Sequence, residues 1–211
     1  MNDRLARVAL CQAGAHLAAR GLAPGTSGNI SVRVDDGGWL VTPTNASLGA
    51  LEPDGLAYIT PEGEHASGKA PTKERFLHAA VYAERPDCEA IVHLHSTHAV
   101  AYACLRDLNS DDALPPITPY SVMRLGRVAL VPYVRPGDSR LGELAGEAAR
   151  KSHAMLLANH GPVVAAKTLD AAVAAVEELE ETAKLYFLLY GHPARFLSED
   201  QVDEIRRVFA S

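Results

Sequence analysis

Three histidines carry the first suggestion of chemistry in this chain. His93 and His95 lie in Ala90-Ile91-Val92-His93-Leu94-His95-Ser96, a short apolar run whose β-branched Ile91 and Val92 read as a buried strand. Side chains two apart on a strand share a face, so the two imidazoles project together and Leu94 faces the other way. Paired neutral imidazoles suit a divalent metal such as zinc, at Zn–N distances of about 2.0–2.1 Å. A third ligand must come from elsewhere. His160, in Leu156-Leu157-Ala158-Asn159-His160-Gly161, ends another apolar run ahead of a Gly-Pro break and is the best candidate. A lone histidine is ordinarily a satisfied core or surface residue; His-x-His on a strand, with a third histidine closing a second run, points to a metal.

Other residues offer binding chemistry. Gly25-Thr26-Ser27-Gly28-Asn29 and Thr42-Pro43-Thr44-Asn45 are small polar loops. Glycine lets backbone N–H groups come close to an anion, and Asn, Thr and Ser add donors; as plain turns the loops need no ligand. Thr72-Lys73-Glu74 opens a predicted helix, where N–H groups favour an anion and Lys73 adds a full charge. Glu74 is a plain helix residue or, near a metal, a ligand or an acid/base. Arg124, Arg127 and Arg135 occupy a stretch with few balancing acids and are either solvated or readers of carboxylate or phosphate. Tyr120, after Pro119 in an expected loop, is a packing residue or a proton donor. His16, His65, His78, His98, His153 and His192 form no ligand constellation, although His98 stands nearest the metal strand.

The bounds are those of an enzyme-sized globular chain. Its 211 residues suffice for one domain with a full core, read over 1–211, and 47% hydrophobic with 22% charged residues is ordinary for a globular protein. A net charge of −6 argues against nucleic acid as a partner, so an anionic substrate must meet local positive charge. Three cysteines, Cys11, Cys88 and Cys104, form no CxxC pair, and a reducing cytoplasm is the simplest setting. Met1-Asn2-Asp3-Arg4 leads into a helical pattern without a signal-peptide core. No apolar run reaches the roughly 20 residues that span a bilayer, so no membrane is expected.

The elements that must position these residues follow from periodicity. Helices are predicted over residues 3–20, with Leu5, Val8, Cys11, Ala15 and Ala18 at near-helical spacing and Leu10 and Leu17 toward another side, which allows burial on more than one face, Asp3 as N-cap and Gly21 as stop. Others are predicted over 72–84 (capped by Thr72, give or take a residue), 98–105, from 138 or 139 to 151, 169–189 and 198–209. Glu177, Glu178, Glu180 and Glu181 should mark the solvated side of the longest. Strands are predicted at 30–34, 39–42, 56–60, from 90, at 128–131, 155–157 and 163–165, the first two joined by Asp35-Asp36-Gly37-Gly38. Residues 109–119 and 133–138 read as loops. The fold class is α/β, with a mixed or mostly antiparallel sheet covered by helices.

Gly25-Thr26-Ser27-Gly28-Asn29, Thr42-Pro43-Thr44, the Glu74 helix, His93-Leu94-His95 and Asn159-His160-Gly161 together resemble the class II aldolase/adducin family. The likeness covers nearly the whole chain and implies that family's single-domain α/β/α fold. Pro71-Thr72-Lys73-Glu74, Pro119-Tyr120-Ser121-Val122-Met123-Arg124, Tyr133-Val134-Arg135-Pro136-Gly137-Asp138 and the stretch from Leu156 to Val163 are most similar to the family's 3-oxo-tetronate 4-phosphate decarboxylases. L-fuculose phosphate aldolase has two serines before its catalytic glutamate, where this chain has Thr72 and Lys73. The resemblance implies one divalent metal per subunit, usually zinc, with Mn2+ or Co2+ as alternatives, held by His93, His95 and His160. It implies Glu74 as acid/base and possible fourth ligand. It implies phosphate contacts from Gly28, Asn29, Thr44, Asn45, Thr72 and Lys73, with Lys73 alternatively meeting the substrate carboxylate. Arg124 and Arg135 fall in the motifs that carry the decarboxylase likeness, as candidates for the anionic ends of a phosphorylated sugar acid. It also implies a homotetramer of fourfold cyclic symmetry, with Tyr120 reaching a neighbour's site.

Overall fold

The computed structural model describes residues 1–135 and 137–209. Pro136, in the loop expected over 133–138, and the last two residues of the 1–211 domain reading lie outside them. Helix α1 (Asp3–Ala19) leads into β1 (Asn29–Arg33), β2 (Trp39–Val41), β3 (Ala57–Ile59) and β4 (His65–Ser67). Then come α2 (Arg75–Glu84), β5 (Ala90–His93), α3 (Thr97–Ala103), α4 (Pro119–Leu125), β6 (Val128–Val131) and α5 (Arg140–Ala149). β7 (Ala154–Leu157), β8 (Gly161–Ala166), α6 (Leu169–Leu189) and α7 (Glu199–Val208) complete the order. Among the described residues the strands form one eight-stranded sheet, β4-β3-β2-β1-β5-β8-β7-β6. Every pairing is antiparallel except β6 with β7, so the expected α/β class with a mostly antiparallel sheet is what the chain forms. No helix among the described residues is long and apolar enough to cross a membrane.

Alternation along β5 divides the core. Ala90, Val92 and Leu94 join α1, α3 and α6 in one buried cluster, and Ile91 joins α2 and α5 in the other. Two-sided burial explains why β5, β7 and most of β8 read as continuous apolar runs rather than alternating ones. Each fully buried leucine or isoleucine contributes about 1.5–3 kcal/mol, and the two faces together hold the sheet that presents the histidines.

Several expectations are corrected. The buried stripe of α1 is Ala6, Leu10, Gly14 and Leu17, while Leu5 and Val8 are 64% and 41% exposed. Both stripes have helical spacing, so period alone did not choose between them. The small residues did: a Cβ at Gly14 would stand 2.6 Å from the Leu48 carbonyl oxygen, so only that stripe lets the Leu48–Ala50 turn pack close. Asn2, not Asp3, caps α1 by accepting from Arg4 N–H at 3.0 Å. Helix α2 begins at Arg75 with Glu74 in the cap position; the Thr72 hydroxyl instead accepts from Glu74 N–H at 3.3 Å. Tyr120 lies in helix α4, not a loop: Pro119 sits at its first turn and the Thr118 hydroxyl accepts from Ser121 N–H at 3.1 Å. The edge strand β4 had no apolar pattern and is exposed throughout.

Glu180 is not on the solvated side of α6. It is buried and accepts from the backbone N–H groups of His98 and Ala99, at 3.0 and 2.8 Å, and contacts His98 Nδ1 at 2.8 Å. Burial raises its carboxyl, but these donors outweigh that and leave it below the ordinary glutamate range. A buried carboxylate is tolerable here because the first turn of α3 supplies the donors that water would. The anchored helix starts two residues after His95.

Candidate active site

Strand β5 ends at His93, and Leu94-His95-Ser96 continues without ladder pairing. His95 therefore lies just past the strand it was expected to occupy, yet its ring remains beside that of His93. Antiparallel pairing of β5 with β8 sets His93 opposite Val163. That register brings the β7–β8 turn, and His160 within it, against residues 94–95. Asn159 adopts φ 57° in that turn, a left-handed conformation that asparagine tolerates. Gly161 follows because a Cβ there would meet the Leu94 carbonyl oxygen at 2.2 Å. Gly28, at φ 80°, fits under the same segment: a Cβ would be 2.9 Å from the His93 carbonyl oxygen. Both glycines are thus explained by close backbone approach, before any ligand is invoked.

The ligand atoms of Glu74, His93, His95 and His160 all lie within 4.8 Å of one another. Nε2 of His95 stands 3.1 Å from Nε2 of His93 and 3.0 Å from Nε2 of His160. The Glu74 oxygens are 3.4 Å from His93 Nε2 and 3.3 Å from His160 Nε2. The His93 Nδ1–H donates to the Pro162 carbonyl at 2.8 Å, which leaves Nε2 bare and aimed at the group. Burial pushes the His93 imidazole down to about 3 and lowers that of His95, so both are neutral at neutral pH. The three imidazoles turn their Nε2 atoms toward one point, where a cation would take a lone pair from each. Four ligands around a tetrahedral zinc are separated by about 3.3–3.4 Å, from bond lengths near 2.0–2.1 Å. The observed spacings are close to that, and the donor set of three imidazoles and a carboxylate fits a divalent metal.

Burial alone raises the Glu74 carboxyl. The facing imidazoles, His93 first, and the Asn29 amide lower it below the ordinary glutamate range, and with His93 and His95 neutral the Asn29 N–H is the donor that acts at neutral pH. Asn29, expected at a phosphate, turns its side chain instead to Glu74 and His78: Nδ2 donates to Glu74 Oε2 at 2.8 Å and Oδ1 meets His78 Nε2 at 2.5 Å. One amide hydrogen is left for a ligand.

The other expected phosphate residues adjoin this group through backbone pairing. Thr44 N–H donates to the Ala70 carbonyl at 2.9 Å and Thr72 N–H to the Thr42 carbonyl at 3.1 Å, which joins the loops carrying Thr44, Asn45, Thr72 and Lys73. Asn45, at φ 56°, and Thr44 line a small cavity with Lys69, and Lys73 is exposed. Tyr120, Arg124 and Arg135 are not brought to the group within this chain. Helix α4 packs on α6 and α7, Tyr120 is 59% exposed, and Arg135 pairs with Asp138 at 3.4 Å. None makes a hydrogen bond or ion pair with Glu74 or the three histidines. His98 is turned to Glu180 and lies outside the group.

Sequence reasoning missed three buried residues that reach Glu74 through Asn29: Ser31, His78 and Tyr82. A signal was present. Glu74, His78 and Tyr82 are four apart on one helix stripe, and Asn29 and Ser31 two apart on one strand face.

The family described as Class II Aldolase and Adducin N-terminal domain matches residues 8–187. A 3-oxo-tetronate 4-phosphate decarboxylase of Pectobacterium atrosepticum is 48% identical over 204 residues, covering 97% of this chain and 94% of its own. An L-fuculose phosphate aldolase of Escherichia coli is 33% identical over 193 residues, covering 90% and 86%. The crystal structure of YgbL from Klebsiella pneumoniae superposes with a TM-score of 0.95 at 46% identity, covering 98% of this chain and 100% of that one.

Proposed function

The chain belongs to the class II aldolase and adducin family, and from that premise we propose that it is a carbon–carbon lyase that decarboxylates a 3-oxo-tetronate 4-phosphate to dihydroxyacetone phosphate and carbon dioxide. The observation that carries this reading is the Glu74–His93–His95–His160 group beside two small anion-suited loops. It lies in a chain far more similar to a decarboxylase of that substrate than to the fuculose phosphate aldolase.

The substrate is a β-keto acid. When the C1–C2 bond breaks, its electron pair passes into the C3 carbonyl, carbon dioxide leaves, and an enediolate spans C2 and C3. Protonation at C2 then gives dihydroxyacetone phosphate. His93, His95 and His160, with Glu74 in the resting state, would hold the divalent metal, zinc in our reading. Such an ion supplies Lewis-acid polarisation of a substrate carbonyl. The chain's own residues do the rest. The loops at Gly28 and Asn29 and at Thr44 and Asn45 face the phosphate, Thr44 through its side chain because its N–H is paired with the Ala70 carbonyl, with Thr72 and the Lys73 ammonium ahead of α2. This local positive end answers a net charge of −6. Glu74 carries the proton to C2.

The reading extends to a cytoplasmic homotetramer in which Tyr120 of one copy enters the site of the next. Its support is the exposure of Tyr120 on α4 and the free state of Cys11, Cys88 and Cys104, which suits a reducing compartment. Arg124, one turn beyond Tyr120, and Arg135 are assigned to the substrate's anionic ends. Light scattering should give four chain masses; a fully active monomer would sink this part.

The chemistry is tested by incubating metal-loaded protein with a 3-oxo-tetronate 4-phosphate and following carbon dioxide and dihydroxyacetone phosphate. Equal amounts of both should appear. Rapid cleavage of L-fuculose 1-phosphate with no carbon dioxide from the keto acid would make the protein an aldolase.

A further inference from the structure

Helix α2 lies along strand β1 so that one helical stripe meets one strand face. Glu74, His78 and Tyr82 come from the helix; Asn29, Ser31 and Arg33 come from the strand. Their contacts form a continuous buried chain. Tyr82 Oη is 2.9 Å from Ser31 Oγ, Ser31 Oγ is 2.7 Å from His78 Nδ1, and His78 Nε2 is 2.5 Å from Asn29 Oδ1. Asn29 Nδ2 closes the chain on Glu74 Oε2 at 2.8 Å. Ser31 and His78 are fully buried and Tyr82 is 4% exposed. Trp39 stacks on His78 with 10° between the rings, and the Arg33 guanidinium lies 4.4 Å above the Tyr82 ring.

The donors in this chain can be assigned one by one. An ionised Glu74 only accepts, so Asn29 presents its N–H to it and its carbonyl to His78. His78 Nε2 must then carry the hydrogen. Burial leaves the imidazole neutral, so Nδ1 is bare and accepts from the Ser31 hydroxyl. The single Ser31 hydrogen is thereby used, and Tyr82 donates to Ser31. The reverse direction fails at both ends. It would face the Asn29 carbonyl against the Glu74 carboxylate, and it would leave the Tyr82 hydroxyl only the Glu89 carbonyl at 3.5 Å.

We propose that Ser31, His78 and Tyr82 are positioning residues of the reaction: they lock the Asn29 amide with its N–H toward Glu74 and so hold the Glu74 carboxylate in its working orientation. The proposal rests on the reading of Glu74 as the proton carrier. None of the three hydrogen-bonds Glu74, His93, His95 or His160; they reach Glu74 through Asn29. Without the Ser31 hydroxyl His78 Nδ1 has no donor, the His78 side of the chain no longer reinforces the direction that the Glu74 carboxylate sets, and the Asn29 amide is held by Glu74 alone.

The test has two parts. In resting wild-type protein, 15N spectra of histidine should show His78 as the Nε2–H tautomer; an Nδ1–H tautomer overturns the assignment. This readout needs no turnover, so it stands apart from any failure of the proposed reaction. In kinetics, Ser31→Ala should lower kcat by about 10–100-fold, the usual cost of removing a supporting partner of a site residue. KM and metal content should stay near wild type. Tyr82→Phe keeps the ring against Trp39 and Arg33 and should show the same pattern more weakly, which covers the case of a poorly folded Ser31→Ala. Coupling decides between positioning and mere stability: in a Glu74→Gln background, Ser31→Ala should cost almost nothing further in kcat. An equal loss in both backgrounds, or an unchanged kcat in Ser31→Ala, overturns the proposal.

Discussion

Replacing any one of His93, His95 or His160 by alanine should abolish both metal retention and decarboxylation. The three Nε2 atoms converge with spacings of 3.0 and 3.1 Å on His95, so each alanine removes one of the three nitrogen ligands that hold the ion, whereas a change at Glu74 keeps all three. The loss should also appear without turnover. A metal that binds only the folded state stabilises it by RT ln(1 + [L]/Kd), about 2.7 kcal/mol at a hundredfold excess over Kd. Wild-type protein should therefore gain that order of stability on titration with zinc, and the variants should not. His98→Ala is the control, because His98 faces Glu180; it should bind metal as wild type does. If dialysed, reloaded wild-type protein holds no stoichiometric divalent metal, the site is not a metal centre, and a non-catalytic, adducin-like role becomes the better reading.

Glu74→Gln should lower kcat by about 10²–10⁴-fold, the range that a positioned acid or base contributes. Glutamine keeps the shape and can still meet Asn29, but it carries no transferable proton. The carboxylate sits at the N-terminal end of α2, hydrogen-bonded by Asn29 and 3.3–3.4 Å from two histidine nitrogens. Those surroundings hold it ionised in the resting protein, as a ligand would be. An enediolate arriving beside it favours the protonated form, because a second negative charge at close range raises a carboxyl group. Glu74 then takes up a proton from solvent and passes it to C2, returning to the carboxylate. In deuterated water the wild type should place deuterium on one face of the C2-derived carbon of the product. Substrate affinity and metal content should change little in the variant. A Glu74→Gln enzyme with near-normal kcat and the same single-face labelling would assign the proton to another group, with Tyr120 the first to examine.

Most of the secondary structure was legible because the relevant physics is local. The strand at 128–131 and the long helix at 169–189 appear with the same limits, since apolar period and a Thr168 cap act within a few residues. The capping box at Ser198 and Gln201 is local too. Errors arose where two local answers were equally good. Helix α1 has two helical stripes, and only the Leu48–Ala50 turn packed against Gly14 shows which one faces inward. The row of glutamates on α6 looks uniformly solvated until the first turn of α3 offers Glu180 two backbone donors. Pro119 reads as a loop in isolation and as the first turn of a helix once Thr118 caps it.

The site divides the same way. Residues two apart along an extended chain share a face, so the pairing of His93 with His95 is legible from their spacing alone. Gly28 reads in the sequence as part of an anion-suited loop and Gly161 as part of a Gly-Pro break; their close approaches to the His93 and Leu94 carbonyls belong to the structure. Only the tertiary structure decided that His160, 65 residues beyond His95 in the chain, has its Nε2 3.0 Å away. That follows from the antiparallel register of β5 on β8, set by the burial of both strands rather than by the histidines. The direction of the chain from Tyr82 to Glu74 was likewise decided in three dimensions. A hydrogen-bond chain takes its polarity from its terminal partners, and here those are a carboxylate on a helix and a hydroxyl two turns further along it, bridged by a strand more than forty residues earlier.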